Sequence, residues 1–313
     1  MINLIKTVEV IPKKVNTVVK HKKFTTHPWK TTDFPTMEFT TNIPLKGCPV
    51  DCVFCPQRVL TKAYSDLTML SLDSFKHMVD KLPLELRVTF AGFTEPFVNN
   101  HCADMIVYAH ETGHPVSVFT TGIGMSVEDF EKIAHIPFAG NPNGGFMLHL
   151  PDKEKRAKHP ITDRYRKLLQ HIKENEHRVQ NFDVMCMGEV LDEFSHLWNG
   201  FSASKMYSRA GNLEKERLLK PELLPEIFYW ASHPPESPTT CNCPEGLYHN
   251  VCLPNGDVVL CCMDYNLEHV LGNLILESYE EIAPEPYTCF EMCNSCENGV
   301  SLNDMEFTYT ANR

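Results

Sequence analysis

Cys48-Pro-Val-Asp-Cys52-Val-Phe-Cys55 sets three thiols within eight residues. Gaps of three and then two residues suit a tight loop wrapped around a cubane iron–sulfur cluster. Three ligands leave the fourth iron open. An iron with an open coordination position does chemistry, whereas one ringed by four cysteines passes electrons. Zinc is the other reading of the same spacing, completed by Asp51 or a distant histidine, but three ligands in one loop are incomplete for structural zinc. A second set follows residue 240: Cys241, Cys243, Cys252, Cys261, Cys262, Cys289, Cys293 and Cys296. Leu253 to Cys261 reads as a hairpin turning at Asn255-Gly256, so cysteines on its two sides approach each other. Cys293-Asn-Ser-Cys296 adds a two-residue bite from a later loop, and together they make a complete four-cysteine site. Taken alone, that site reads as a zinc ribbon. Cys252 and Cys262 flank the hairpin and read as buried small hydrophobes.

The elements that must position these loops are legible from periodicity. Residues 37–43, 87–90, 116–120, 146–150 and 182–187 read as strands, with a sixth near 201–207. Between them, Phe75, Met78, Val79 and Leu82 follow helical spacing, as do Tyr165, Leu168, Leu169 and Ile172. Ser126 with Asp129 makes a capping-box-like start. Alternation of this kind gives a parallel sheet with right-handed crossovers. It fits a partial (β/α)6 barrel, and an open doubly wound sheet nearly as well. In a barrel, the first cysteine loop falls at the C-terminal mouth, where such folds build their sites. The proline-rich stretches at 221–225 and 233–238 mark the exit from this unit. The expected division is an N-terminal arm at 1–36, a barrel at 37–232 and a cysteine-rich unit of hairpin and helix at 233–313.

Composition narrows the function classes. A chain of 313 residues with 42% hydrophobic content can bury a core for one barrel-sized domain and an appendage. The formal charge of −11 argues against a general nucleic-acid binder or an anionic-membrane binder. No apolar run is long enough to span a membrane, and no secretion signal opens the chain, so a cytoplasmic location is expected. There the thirteen cysteines read as metal ligands rather than a disulfide framework.

The triplet, with Phe54 as the aromatic before its last cysteine, resembles the loop after the first barrel strand in the radical S-adenosylmethionine (SAM) superfamily. Phe90-Ala-Gly92-Phe-Thr94-Glu95-Pro96 is similar to the family's Gly-x-Gly-Glu-Pro segment, with Thr94 in place of the second glycine. Phe119-Thr120-Thr121-Gly122 resembles the Thr-Asn-Gly turn ending the third strand. Ser208-Arg209-Ala-Gly211-Asn resembles a segment before the C-terminal extension of one branch. Cys243, Gly256, Cys261 and Cys293-x2-Cys296 resemble the auxiliary-cluster extension called SPASM when long and Twitch when short. The resemblance covers residues 37 to about 300.

The resemblance implies a [4Fe–4S] cluster on Cys48, Cys52 and Cys55 whose open iron chelates SAM. An electron from that cluster cleaves SAM and leaves a radical that abstracts a hydrogen atom from substrate. It implies SAM contacts from Phe54, Gly92, Thr94, Glu95, Pro96, Thr120, Thr121 and Arg209. It also implies one auxiliary [4Fe–4S] cluster on Cys243, Cys261, Cys293 and Cys296, with Cys241 or Cys289 as substitutes. Cys186, near the end of the fifth strand, is a candidate hydrogen-atom donor, although core packing is the commoner role for such a thiol. A flavodoxin- or ferredoxin-type electron donor is implied. The substrate is expected to be small, since 36 residues are few for a peptide-recognition domain; a ribosomally made peptide is the alternative, and a non-catalytic zinc- or cluster-binding protein the second.

Overall fold

The computed structural model describes residues 36–140, 145–198, 209–213 and 249–282. Five strands run parallel: β1 (Thr36–Phe39), β2 (Arg87–Phe90), β3 (Val116–Thr120), β4 (Phe146–His149) and β5 (Phe182–Met185). Three more follow: β6 (His249–Cys252), β7 (Asp257–Val259) and β8 (Val270–Asn273). All eight form one sheet in the order β5-β4-β3-β2-β1-β6-β7-β8. Strands β1 and β2 are buried along their whole lengths, as parallel strands covered on both faces must be.

The helices are α1 (Gln57–Ala63), α2 (Leu72–Val79), α3 (Cys102–Glu111), α4 (Val127–Ile133), α5 (Asp163–Asn175) and α6 (Tyr279–Ile282). Their starts follow from the sequence. Ser71 caps α2 by accepting the Ser74 amide at 3.0 Å. Ser126 and Asp129 form the expected reciprocal box at α4. Thr162 caps α5. Phe75, Met78 and Val79 of α2 and Tyr165, Leu168, Leu169 and Ile172 of α5 are buried, which places both predicted stripes against the sheet.

The expected strands agree at β2 and β3 and are trimmed elsewhere. β1 ends at Phe39 rather than residue 43. Thr41 and Asn42 instead turn their side chains to the Pro96 and Glu95 carbonyls, and Asn42 keeps only an isolated bridge to Met69. The expected sixth strand at 201–207 and residues 1–35 of the expected arm at 1–36 lie outside the described residues, and Thr36 opens β1.

The C-terminal hairpin forms as read, Val251 opposite Val259 and Cys252 opposite Val258, with Gly256 in the turn at φ +88°. Its placement was not legible. β6 pairs in parallel with β1, from Thr36 opposite His249 to Phe39 opposite Cys252. The C-terminal strands therefore extend the main sheet. No helix among the described residues is long and apolar enough to cross a membrane.

Candidate functional site

The loop from β1 to α1 carries Cys48, Cys52 and Cys55, all half-buried and none in a disulfide. Two turns shape it: the Asp51 amide donates to the Cys48 carbonyl at 3.2 Å, and the Cys55 amide to the Cys52 carbonyl at 3.1 Å. A second loop, after β4, braces it. The Val53 amide donates to the Arg156 carbonyl at 2.8 Å, and the Lys158 amide to the Val50 carbonyl at 2.9 Å. Buried Asp152 folds that brace by accepting the Arg156 and Ala157 amides at 2.8 and 2.9 Å. At the surface Lys158 pairs with Asp51 at 2.9 Å.

Burial, with some charge from the neighbouring Cys55, pushes Cys48 up to about 12, and burial also raises Cys52 well above the ordinary thiol range. Burial makes three thiolates costly here without a cationic partner, which an iron–sulfur core would supply. Among the described residues, no three Cys, His, Asp or Glu side chains converge on a single-ion site. A cubane spreads its ligands over three separate irons, so its thiolates need not meet at a point.

Two further residues finish the loop. Gln57, buried at the start of α1, accepts the Cys48 amide at 2.8 Å and donates to the Phe93 carbonyl at 2.6 Å and the Cys55 sulfur at 3.1 Å. The hydroxyl of Tyr265, from the loop after β7, lies 3.3 Å from the same sulfur. Sequence reasoning missed both. Gln57 offered one signal, a polar residue at the head of an otherwise apolar helix face. Tyr265 offered none.

The segment after β2 sits against this loop. Gly92 has φ +82°, and a Cβ there would lie 2.1 Å from the Thr40 hydroxyl, so no side chain fits. Thr94 donates to the Asn42 carbonyl. The buried Glu95 carboxylate accepts four hydrogen bonds. One oxygen takes the Thr120 hydroxyl at 2.6 Å and the Phe97 amide at 3.1 Å; the other takes the Thr121 amide and hydroxyl, both at 2.7 Å. Burial raises Glu95 despite these four donors, which pull it the other way. Pro96 opens the short 3-10 turn behind it. Glu95 thus ties the end of β2 to the end of β3, and Gly92, Thr94, Glu95, Pro96, Thr120 and Thr121 form one constellation.

Phe54 packs beside His149 at the end of β4, ring centroids 5.9 Å apart. Burial, with His159 beside it, holds His149 down to about 3, so its ring is neutral at ordinary pH. Among the described residues its Nε2 has no hydrogen-bond partner, nor has Asn42 Oδ1 or Asn212 Oδ1, though all three atoms are buried. Buried polar atoms are seldom left unpaired unless water or a ligand meets them. A polar adenosyl cofactor beside the cysteine loop is suited to that role, and the residues present fit both SAM and the cluster. Arg209 is held at φ 54° with Nη1 3.9 Å from the Met263 sulfur, its charge near Tyr265 and Cys55. Cys186 follows β5, fully buried, its sulfur 3.7 Å from the Leu150 carbonyl and 3.9 Å from that of Pro151.

Of the candidate auxiliary ligands, Cys261 is buried at the end of the hairpin. Cys241, Cys243, Cys289, Cys293 and Cys296 lie outside the described residues. Cys252 is fully buried in the core, as expected for a packing residue, while Cys262 is only half-buried.

Residues 241–298 match the family model of SPASM, an iron–sulfur cluster-binding domain. No curated protein matches the sequence. Among solved structures, the fold is similar to that of BtrN in complex with AdoMet and 2-DOIA, at 15% identity and a TM-score of 0.51 over 82% of this chain and 84% of that one. It is also similar to Streptococcus suis SuiB bound to its precursor peptide SuiA, at 11% identity and a TM-score of 0.53 over 90% and 73%. The chain thus joins a three-cysteine loop after β1 to a C-terminal segment of the SPASM type, on a fold similar to those of BtrN and SuiB.

Proposed function

We propose that the chain is an enzyme that reductively cleaves SAM and abstracts a hydrogen atom from a small or nucleotide- or sugar-like substrate. Cys48, Cys52 and Cys55 hold the open [4Fe–4S] cluster, and Cys243, Cys261, Cys293 and Cys296 hold the auxiliary cluster that assists electron transfer. The observation that carries this reading is a pair of buried atoms beside the cysteine loop that find no partner among the described residues. Asn42 Oδ1 stands on a side chain bonded to the Glu95 carbonyl at 2.8 Å, and His149 Nε2 on a ring packed against Phe54.

When bound, the cluster and SAM supply the electron and the hydrogen-abstracting radical. The protein positions and shields. Glu95 fixes the Gly92–Pro96 turn against Thr120 and Thr121, so the backbone there is rigid where the methionyl end of SAM would lie. Phe54 and neutral His149 wall the site on the β4 side without adding a charge. Arg209 brings a half-buried positive charge toward Cys55. A flavodoxin- or ferredoxin-type protein supplies the electron.

BtrN was solved with a small molecule and SuiB with a peptide, so substrate size is tested separately. Anaerobic reconstitution should load about eight irons per chain for two cubanes. Reduction in the presence of SAM should release 5′-deoxyadenosine and methionine. Colourless protein with stoichiometric zinc and no SAM cleavage would overturn the reading.

A further inference from the structure

Cys55 differs from a bare cluster ligand in what surrounds its sulfur. Gln57 Nε2 lies 3.1 Å away and the Tyr265 hydroxyl 3.3 Å away. An iron-bound thiolate carries no proton, so in the loaded protein both bonds must be donated to sulfur. Gln57 is committed: its carbonyl holds the Cys48 amide, and its two amide hydrogens go to Phe93 and Cys55. Tyr265 is equally fixed. Its ring packs 4.6 Å from that of Phe93, and its amide donates to the Met263 carbonyl at 2.9 Å. Asp264 stiffens the same loop by accepting the Glu268 and His269 amides at 3.1 and 2.9 Å. This is the loop that leaves Cys261, whose carbonyl accepts the Asp264 amide at 3.1 Å. Three residues separate a candidate auxiliary ligand, Cys261, from a donor to the SAM cluster, Tyr265.

We propose that Tyr265 and Gln57 are positioning residues that set the reduction potential of the SAM cluster through hydrogen bonds to the Cys55 sulfur. The C-terminal segment thereby tunes the cluster held by the N-terminal loop. Donors to cluster sulfur favour the reduced, more negative state, so they raise the potential. This rests on the functional reading above, in which Cys55 is a cluster ligand.

The test is a potentiometric titration of anaerobically reconstituted full-length protein, followed by electron paramagnetic resonance. The SAM-cluster signal is the one that SAM perturbs and that the Cys48→Ala/Cys52→Ala/Cys55→Ala variant lacks. Tyr265→Phe keeps the ring against Phe93 and removes only the hydroxyl. It should retain the iron content and shift the midpoint of that signal to more negative potential, leaving the auxiliary signal in place. Fluorotyrosine at position 265, a stronger donor of nearly the same shape, should shift it the other way even if Tyr265→Phe loads poorly. A SAM-cluster midpoint unmoved by fluorotyrosine, or by a fully loaded Tyr265→Phe, overturns the proposal and leaves the enzyme assignment intact. Protein that takes up no SAM-sensitive cluster overturns the assignment and this proposal with it.

Discussion

The amide of Val53 donates to the carbonyl of Arg156 at 2.8 Å, joining the cysteine loop to the loop after β4 across about a hundred residues of sequence. Asp152 keeps that second loop in shape from within, while Lys158 and Asp51 pair at the surface, 52% and 42% exposed. The two devices should differ in weight. Asp152→Ala strips acceptors from two amides and should cost about 2–3 kcal/mol. Lys158→Ala should cost less than about 1 kcal/mol. Chemical denaturation of the two variants gives the ranking, and iron content after reconstitution should fall only for Asp152→Ala.

Glu95→Gln replaces one acceptor oxygen by a donor where hydroxyl and amide donors already converge. One backbone amide, of Phe97 or Thr121, then faces another donor, and the expected loss is about 1–3 kcal/mol. SAM affinity of the reconstituted protein should weaken along with it. Unchanged stability would mean that Thr120 and Thr121 need no clamp.

His149 should make the fold acid-sensitive. Its folded value of about 3 lies below the ordinary 6.5, because burial and His159 disfavour the charged ring. Below pH 6.5 the unfolded chain takes a proton that the folded chain refuses, so stability is full above that pH and drains as pH falls toward 3. His159 is shifted in the same direction, also chiefly by burial. Melting temperatures between pH 7 and 5 should therefore fall less steeply in His149→Gln than in the parent protein.

Much of this architecture could be read from spacing. The five parallel strands, two amphipathic stripes, the α4 capping box and the Asn255-Gly256 hairpin all rest on local rules that one segment satisfies alone. The cysteine triplet and the ordered turns at 92–96 and 119–122 stood out by residue type and spacing, each at the end of a strand. What escaped were pairings between distant segments. Nothing in His249–Cys252 states that it will lie beside Thr36–Phe39, and nothing near Tyr265 points to Cys55. Asn42 and His149 were equally silent as a pair, since an unpartnered buried atom is defined by its surroundings.

Cys186 is the sharpest test of a residue read from position alone. Its thiol lies in the core facing the Leu150 and Pro151 carbonyls. That placement supports packing, so Cys186→Ala should lower stability by about 1 kcal/mol and leave SAM cleavage and product formation unchanged. Abolished product with continued 5′-deoxyadenosine release would instead mark it as the hydrogen-atom donor.

The parallel pairing of β6 with β1 has a consequence for how the molecule comes into being. β1 leaves the ribosome first, and the strand that covers one of its edges is made more than two hundred residues later. At ordinary translation rates of about 5–20 residues per second, that edge waits tens of seconds or less for its partner. Throughout that interval the cysteine loop hangs from a strand with a bare flank, and Tyr265 does not yet exist. The site in which Tyr265 meets Cys55 can therefore form only after residues 249–265 have been made.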